Sequence, residues 1–116
     1  MNCNCKDGVV IFPLAKDCDY YLRYIAELIK KIYSKEHVKC YLSKRCLTIG
    51  DRTLLFRYGY KERDKIRFMG YMLSFVCFIG REHDRKFLFE PAFVEAIKAR
   101  ILTAKGEQKI FIETYI

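Results

Sequence analysis

The stretch Phe75-Val76-Cys77-Phe78-Ile79 constrains this chain more than any other. Five apolar residues in succession offer no polar face to water, so an extended segment made of them predicts a strand buried on both sides of a sheet. The apolar run starts upstream, in the stretch YMLS, and stops at Gly80 and Arg81. It is the most strongly buried strand that the sequence predicts.

The remaining elements fall around it. GVVIF, Gly8–Phe12, is a short β-branched run closed by Pro13 and predicts a second buried strand. After the loop PLAKDCD, Tyr21, Ile25, Leu28, Ile29 and Ile32 recur at helical spacing. They predict a helix over residues 19–34 with one apolar stripe, capped by Asp17 or Asp19. From His37 the period falls to two, with Val38, Cys40 and Leu42 alternating with more polar neighbours and turn signals at SKR and GD. This predicts antiparallel strands over residues 37–42, Cys46–Ile49 and 53–58. Residues 59–65, GYKERDK, read as a charged loop or helical turn, and REHDRKFLFE as a surface connection. Pro91 opens a second helix that turns Val94, Ile97 and Ile101 inward and stops at Gly106, and KIFIETYI closes the chain as a strand. The fold expected is a single α/β domain over residues 1–116, with residues 1–7 as a flexible or metal-tethered N-terminus. It has three layers: a mostly parallel sheet, an antiparallel hairpin ribbon and two main helices.

The longest apolar stretch, residues 68–79, has twelve residues and includes Gly70 and Ser74. A membrane-spanning helix needs about 20. MNCNCKDG lacks the basic and then apolar pattern of a signal peptide. The expectation is an intracellular, cytoplasmic protein with no membrane partner. With an apolar share of 52%, the chain has the means to build a core.

Charge is distributed unevenly. Residues 30–67 hold twelve Lys/Arg against four Asp/Glu, which is the whole +8 of the chain, because the other residues hold ten of each. A local cationic excess favours polyanions through counterion release. It is equally what a solvated surface would carry to stay soluble.

The order of elements resembles a P-loop ATPase core, in particular that of phage terminase large subunits and related helicase-like ATPases. VVIFPLAKDCDYYLRYIAELIKKIY resembles the second strand and helix of that core. Asp64-Lys65-Ile66-Arg67 and Phe75-Val76-Cys77-Phe78-Ile79 stand where the family has a charged segment followed by a strand ending in two acids, and KIFIETY resembles the next strand, with Glu113 or Thr114 matching its polar sensor. The resemblance covers most of the chain from Gly8 onward. Two parts are missing. No Gly-rich segment with Lys and Ser/Thr is present to cradle phosphates, and Gly80 and Arg81 replace the magnesium-binding acids. What the resemblance implies is an ATPase-like domain that does not hydrolyse ATP and uses no cofactor.

Other residues of the chain offer different chemistry. Glu82 and Asp84, two apart on a strand, would converge and could hold magnesium in a small nuclease. The alternative is a solvated turn in which Arg81, Arg85 and Lys86 pair the acids. Cys3, Cys5 and Cys18 could bind zinc with a fourth ligand from Cys40, Cys46 or a histidine, although C-x-C is shorter than the usual spacing. Cys40 and Cys46 could instead face each other across a hairpin, and Cys77 reads as a buried small hydrophobe. The middle segment interleaves rings with cations: Lys39, Lys44, Arg45, Arg52, Arg57, Lys61, Arg63, Lys65 and Arg67 alternate with Tyr41, Phe56, Tyr58 and Tyr60. Cations neutralise phosphates and exposed rings stack on bases. The expectation is therefore a non-enzymatic domain that binds DNA, RNA or a nucleic-acid-processing protein, such as a viral or mobile-element accessory. A homodimeric interaction module, pairing exposed sheet edges or tyrosine-rich faces, is the alternative, and a metal-dependent nuclease is a third reading.

Overall fold

The computed structural model describes residues 8–33, 37–101 and 110–116. They build one six-stranded sheet with helices on both faces, the three-layer α/β arrangement expected from the sequence. The strands are β1 (Gly8–Phe12), β2 (Val38–Tyr41), β3 (Cys46–Ile49), β4 (Arg52–Tyr58), β5 (Phe75–Gly80) and β6 (Ile110–Tyr115), in the order β2-β3-β4-β1-β5-β6. β4, β1, β5 and β6 are parallel, and β2 and β3 extend β4 as an antiparallel ribbon. The helices are α1 (Ala15–Ile32) and α2 (Pro91–Lys98), with 3-10 helices at Glu62–Phe68 and Arg85–Phe87.

Strand alternation divides the core in two. Val10 and Phe12 of β1 join Phe56, Leu47 and Val38 beneath Cys18, Leu22 and Ala26 of α1. Val9 and Ile11 point the other way, where Leu55, Val76 and Phe78 meet Phe68, Phe89, Phe93, Val94, Ile97 and Ile101. Edge-to-face contacts of Phe78 with Phe89 and Phe93, and of Phe68 with Phe93, lock this second layer.

Three sequence expectations are corrected. The first concerns α1, which starts at Ala15, two residues after Pro13, and its N-cap Leu14 offers no side-chain hydrogen bond. Asp17 and Asp19 lie inside the helix, and their carboxylates are held by arginines from other elements. The buried line of α1 is also different: it runs through Cys18, Leu22 and Ala26, while Leu28 is 42% and Ile32 76% exposed. The small Cys and Ala side chains let the helix axis approach the sheet, which pushes the larger residues to its flanks. The third correction is that β1, not β5, is the strand buried throughout. Phe75, Cys77 and Ile79 of β5 are half-buried, because α1 packs over β1 and the ribbon and leaves the β5–β6 side of that face partly bare.

α2 ends at Lys98, and the chain passes through tight turns to a parallel bridge between Ile101 and Leu73. The second helix therefore ends well before the stop expected at Gly106, and Ile101, expected on it, lies beyond its end. Gly106 itself lies outside the described residues, as do Cys3, Cys5 and the end of the expected first helix at Ser34. No helix among the described residues is long and apolar enough to cross a membrane.

Candidate nucleic-acid interface

Among the described residues, the ribbon presents one face that the helices leave open. Register places Lys39, Thr48 and Thr53 in one row across β2, β3 and β4, and Tyr41, Cys46 and Leu55 in the next. Of these only Leu55 belongs to the core, with Cys46 packed against it. Lys39 and Tyr41 are exposed, and Thr48 and Thr53 are half-exposed. The Lys44 ammonium stands 5.9 Å from the Tyr41 ring centre. A cation, an accessible ring and two hydroxyls thus share one pleated surface.

Arg52 lies at the opposite end of the ribbon from Lys44. The hairpin there closes in two residues, Gly50 and Asp51, so Ile49 pairs directly with Arg52. Gly50 has φ 62, a left-handed conformation that costs a side-chain-bearing residue free energy. Arg52 is exposed beyond this turn.

Most of the other candidate cations serve structural contacts. Arg45 donates from Nε and Nη2 to the two oxygens of Asp19 at 2.7 and 3.2 Å, and its guanidinium stands 5.2 Å from the centre of the Tyr58 ring. The Arg45 hydrogen bond holds the Asp19 carboxyl below the usual carboxylate range. Arg45 itself has φ 48, so this bidentate pair fixes a backbone conformation costing roughly 1–2 kcal/mol. Arg57 donates from Nε to the Tyr71 hydroxyl at 3.0 Å and from Nη1 to the carbonyls of Lys44, Arg45 and Phe56 at 3.2, 2.9 and 2.9 Å. It tethers the β2–β3 turn to β4.

At the C-terminal end of β4 the cations line a hollow beside the start of α1, with Lys61, Arg63, Arg67 and Asp64 in its wall. Asp64 accepts from the Tyr60 and Lys61 amides, both at 3.0 Å. Burial raises the Asp64 pKa, but these amides and the nearby Arg67 and Arg63 outweigh it, so the net shift is downward. Arg67 donates to the Tyr58 carbonyl at 3.3 Å and lies 4.5 Å from the centre of its ring. Lys61 stands over Tyr60, and Lys65 pairs with Glu62 at 3.3 Å. Arg63 is exposed at the mouth of this hollow.

Open α/β sheets bind ligands where successive connections leave in opposite directions, outside the strand C-termini. Here that point lies between β1 and β5. Arg81 occupies it, donating from Nε and Nη2 to Asp17 of α1 at 2.7 and 2.9 Å. Gly80 has a packing reason: a Cβ there would come within 2.5 Å of the Tyr115 ring. Neither long-range arginine pair has a local sequence signature, since the partners are 64 and 26 residues apart.

The weaker candidates are placed as follows. Glu82 and Asp84 lie in a turn beyond the end of β5, so strand alternation does not make them converge, and Asp84 caps the short helix by accepting from the Lys86 amide at 3.3 Å. Cys18 is wholly buried on the sheet-facing side of α1, and desolvation pushes its thiol up to about 11. Cys40 pairs with Leu47, and Cys46 with Tyr41, so the two thiols point to opposite sheet faces and do not meet across the hairpin. Among the described residues no three His, Cys, Asp or Glu side chains gather as a metal site. Comparison with known protein families, with curated proteins and with solved structures finds no match for the chain.

Proposed function

We propose that this domain binds nucleic acid without catalysis, using the open face and tips of its antiparallel ribbon. The observation that carries the reading is the bare ribbon surface on which Lys39, Lys44 and Tyr41 stand together, with Arg52 at the far turn. A two-stranded β-ribbon is of a size to enter a major groove, and a flat ribbon face with an exposed ring also suits single strands. The threonine hydroxyls add donors for phosphate oxygens.

The scaffold, on this reading, is that of a P-loop ATPase core without its hydrolytic groups, in an accessory protein of a virus or mobile element. What supports this is the use of the strand-end crevice: Arg81, bonded to Asp17, fills the place that carboxylates and a metal would need.

The test is fluorescence anisotropy with labelled duplex and single-stranded DNA and RNA over a range of salt. Binding is expected to weaken steeply with salt. The triple reversal Lys39→Glu, Lys44→Glu, Arg52→Glu is expected to abolish it without loss of fold. A triple variant that binds as tightly as the parent rules the ribbon out.

A further inference from the structure

The geometry points to β6 as a dimerisation strand that pairs antiparallel with β6 of a second copy of this chain. β6 is the last strand of the sheet on one side, and no strand among the described residues covers its outer edge. Every residue of Ile110–Tyr115 is exposed, with Ile110 at 61% and Ile112 at 54%. Edge strands of stable monomers are short, charged, bulged or interrupted by proline. β6 is six residues long, pairs in unbroken register with β5, and has Glu113 as its one charge. Its apolar surface continues inward through half-buried Phe75, Cys77 and Ile79.

Symmetry and charge select the occupant. In a two-fold antiparallel pair, a residue at the axis faces its own copy and its neighbours cross-pair. Centring on Glu113 would oppose two carboxylates, which is unfavourable. Centring on Ile112 sets the two isoleucines against each other and places Phe111 opposite the other copy's Glu113. The Lys98 ammonium, which also pairs with Glu95 at 3.5 Å, stands 3.9 Å from the Phe111 ring centre, on the α2 face of the sheet. That register therefore brings a cation toward each incoming Glu113, once on either side of the axis. The strand is thereby self-complementary, and the two sheets join into one of twelve strands.

Sedimentation velocity over a range of protein concentration, with far-UV circular dichroism as a check on folding, tests this. The parent is expected to dimerise reversibly. Ile112→Lys puts two like charges at the axis, so it is expected to give a folded monomer and to weaken dimerisation at least tenfold. Glu113→Lys alone is expected to weaken it, and the exchange Lys98→Glu with Glu113→Lys to restore it. Ile112 and Glu113 are exposed, so neither change removes core packing. A chain that stays monomeric throughout, a dimer indifferent to Ile112→Lys, or a charge exchange that fails to restore pairing overturns the proposal. None of these variants touches the ribbon, so the outcome is separate from that of the nucleic-acid test.

Discussion

Replacing Arg57 by Gln separates a structural cation from a binding one. Arg57 spends Nη1 on three backbone carbonyls and Nε on the Tyr71 hydroxyl, all within 3.2 Å. Hydrogen bonds from a charged donor contribute about 1.5–3 kcal/mol each when measured singly. Those sharing one nitrogen do not add, and the site is half-exposed, so the loss is set at about 2–3 kcal/mol for the whole cluster. A carboxamide is too short to span the same acceptors and carries no charge. For a domain of this size that loss corresponds to a fall in Tm of roughly 10 °C. The assay is urea and thermal denaturation followed by circular dichroism. A paired measurement of the salt dependence of binding completes it. Each lost phosphate contact lowers the slope of log K against log salt by about 0.9 on duplex DNA. Arg57→Gln is expected to lower stability and leave that slope unchanged, whereas Lys39→Gln is expected to do the reverse. A fully stable Arg57→Gln protein with a reduced salt slope would refute the assignment.

Two further outcomes follow from the same contacts. The Asp64 carboxyl titrates lower in the folded state than in the unfolded one. Its contribution to stability is thus present above the unfolded value, about 3.9, and is lost as pH falls through the folded one. Asp64→Asn is expected to reduce stability near neutrality and to flatten the acid limb of a plot of unfolding free energy against pH. Cys18, buried with a thiol pKa of about 11, is expected to resist alkylation at pH 8 in native protein while partly exposed Cys46 reacts, and Cys40, whose thiol burial also raises, reacts more slowly than Cys46. Peptide mass mapping after timed alkylation reads this, and early labelling of Cys18 would contradict its packing.

Much of the architecture is legible in the residues because it follows from local period. The alternation in Cys46–Ile49 and the apolar block GVVIF are strands in the structure. Pro91 stands at the start of α2, with Val94 and Ile97 buried as their spacing requires, whereas Ile101 is buried past the helix end, in a bridge to Leu73. The turn at GD closes with Gly50 in a left-handed conformation, as the hairpin needs. The start and the buried line of α1 were less legible. Periodicity weighs large apolar residues, but contact with the sheet favoured small ones at Cys18 and Ala26.

The candidate site divides along the same boundary. Its nine cations could be read from composition and position, but not which of them were already engaged. Arg45 meets Asp19, and Arg57 meets the β2–β3 turn, only after the ribbon folds back beside α1.

The sequence by itself determined the order of strands and helices, the antiparallel ribbon and the placement of excess positive charge, since these depend on neighbours a few residues apart. Tertiary structure alone decided that Arg81 is tied to Asp17, that β1 lies at the centre of the sheet and that β6 is its last strand on one side. Strand order and ion pairing depend on chain crossovers that bring together residues dozens of positions apart, and no local pattern of hydrophobicity encodes which side of β1 each crossover takes.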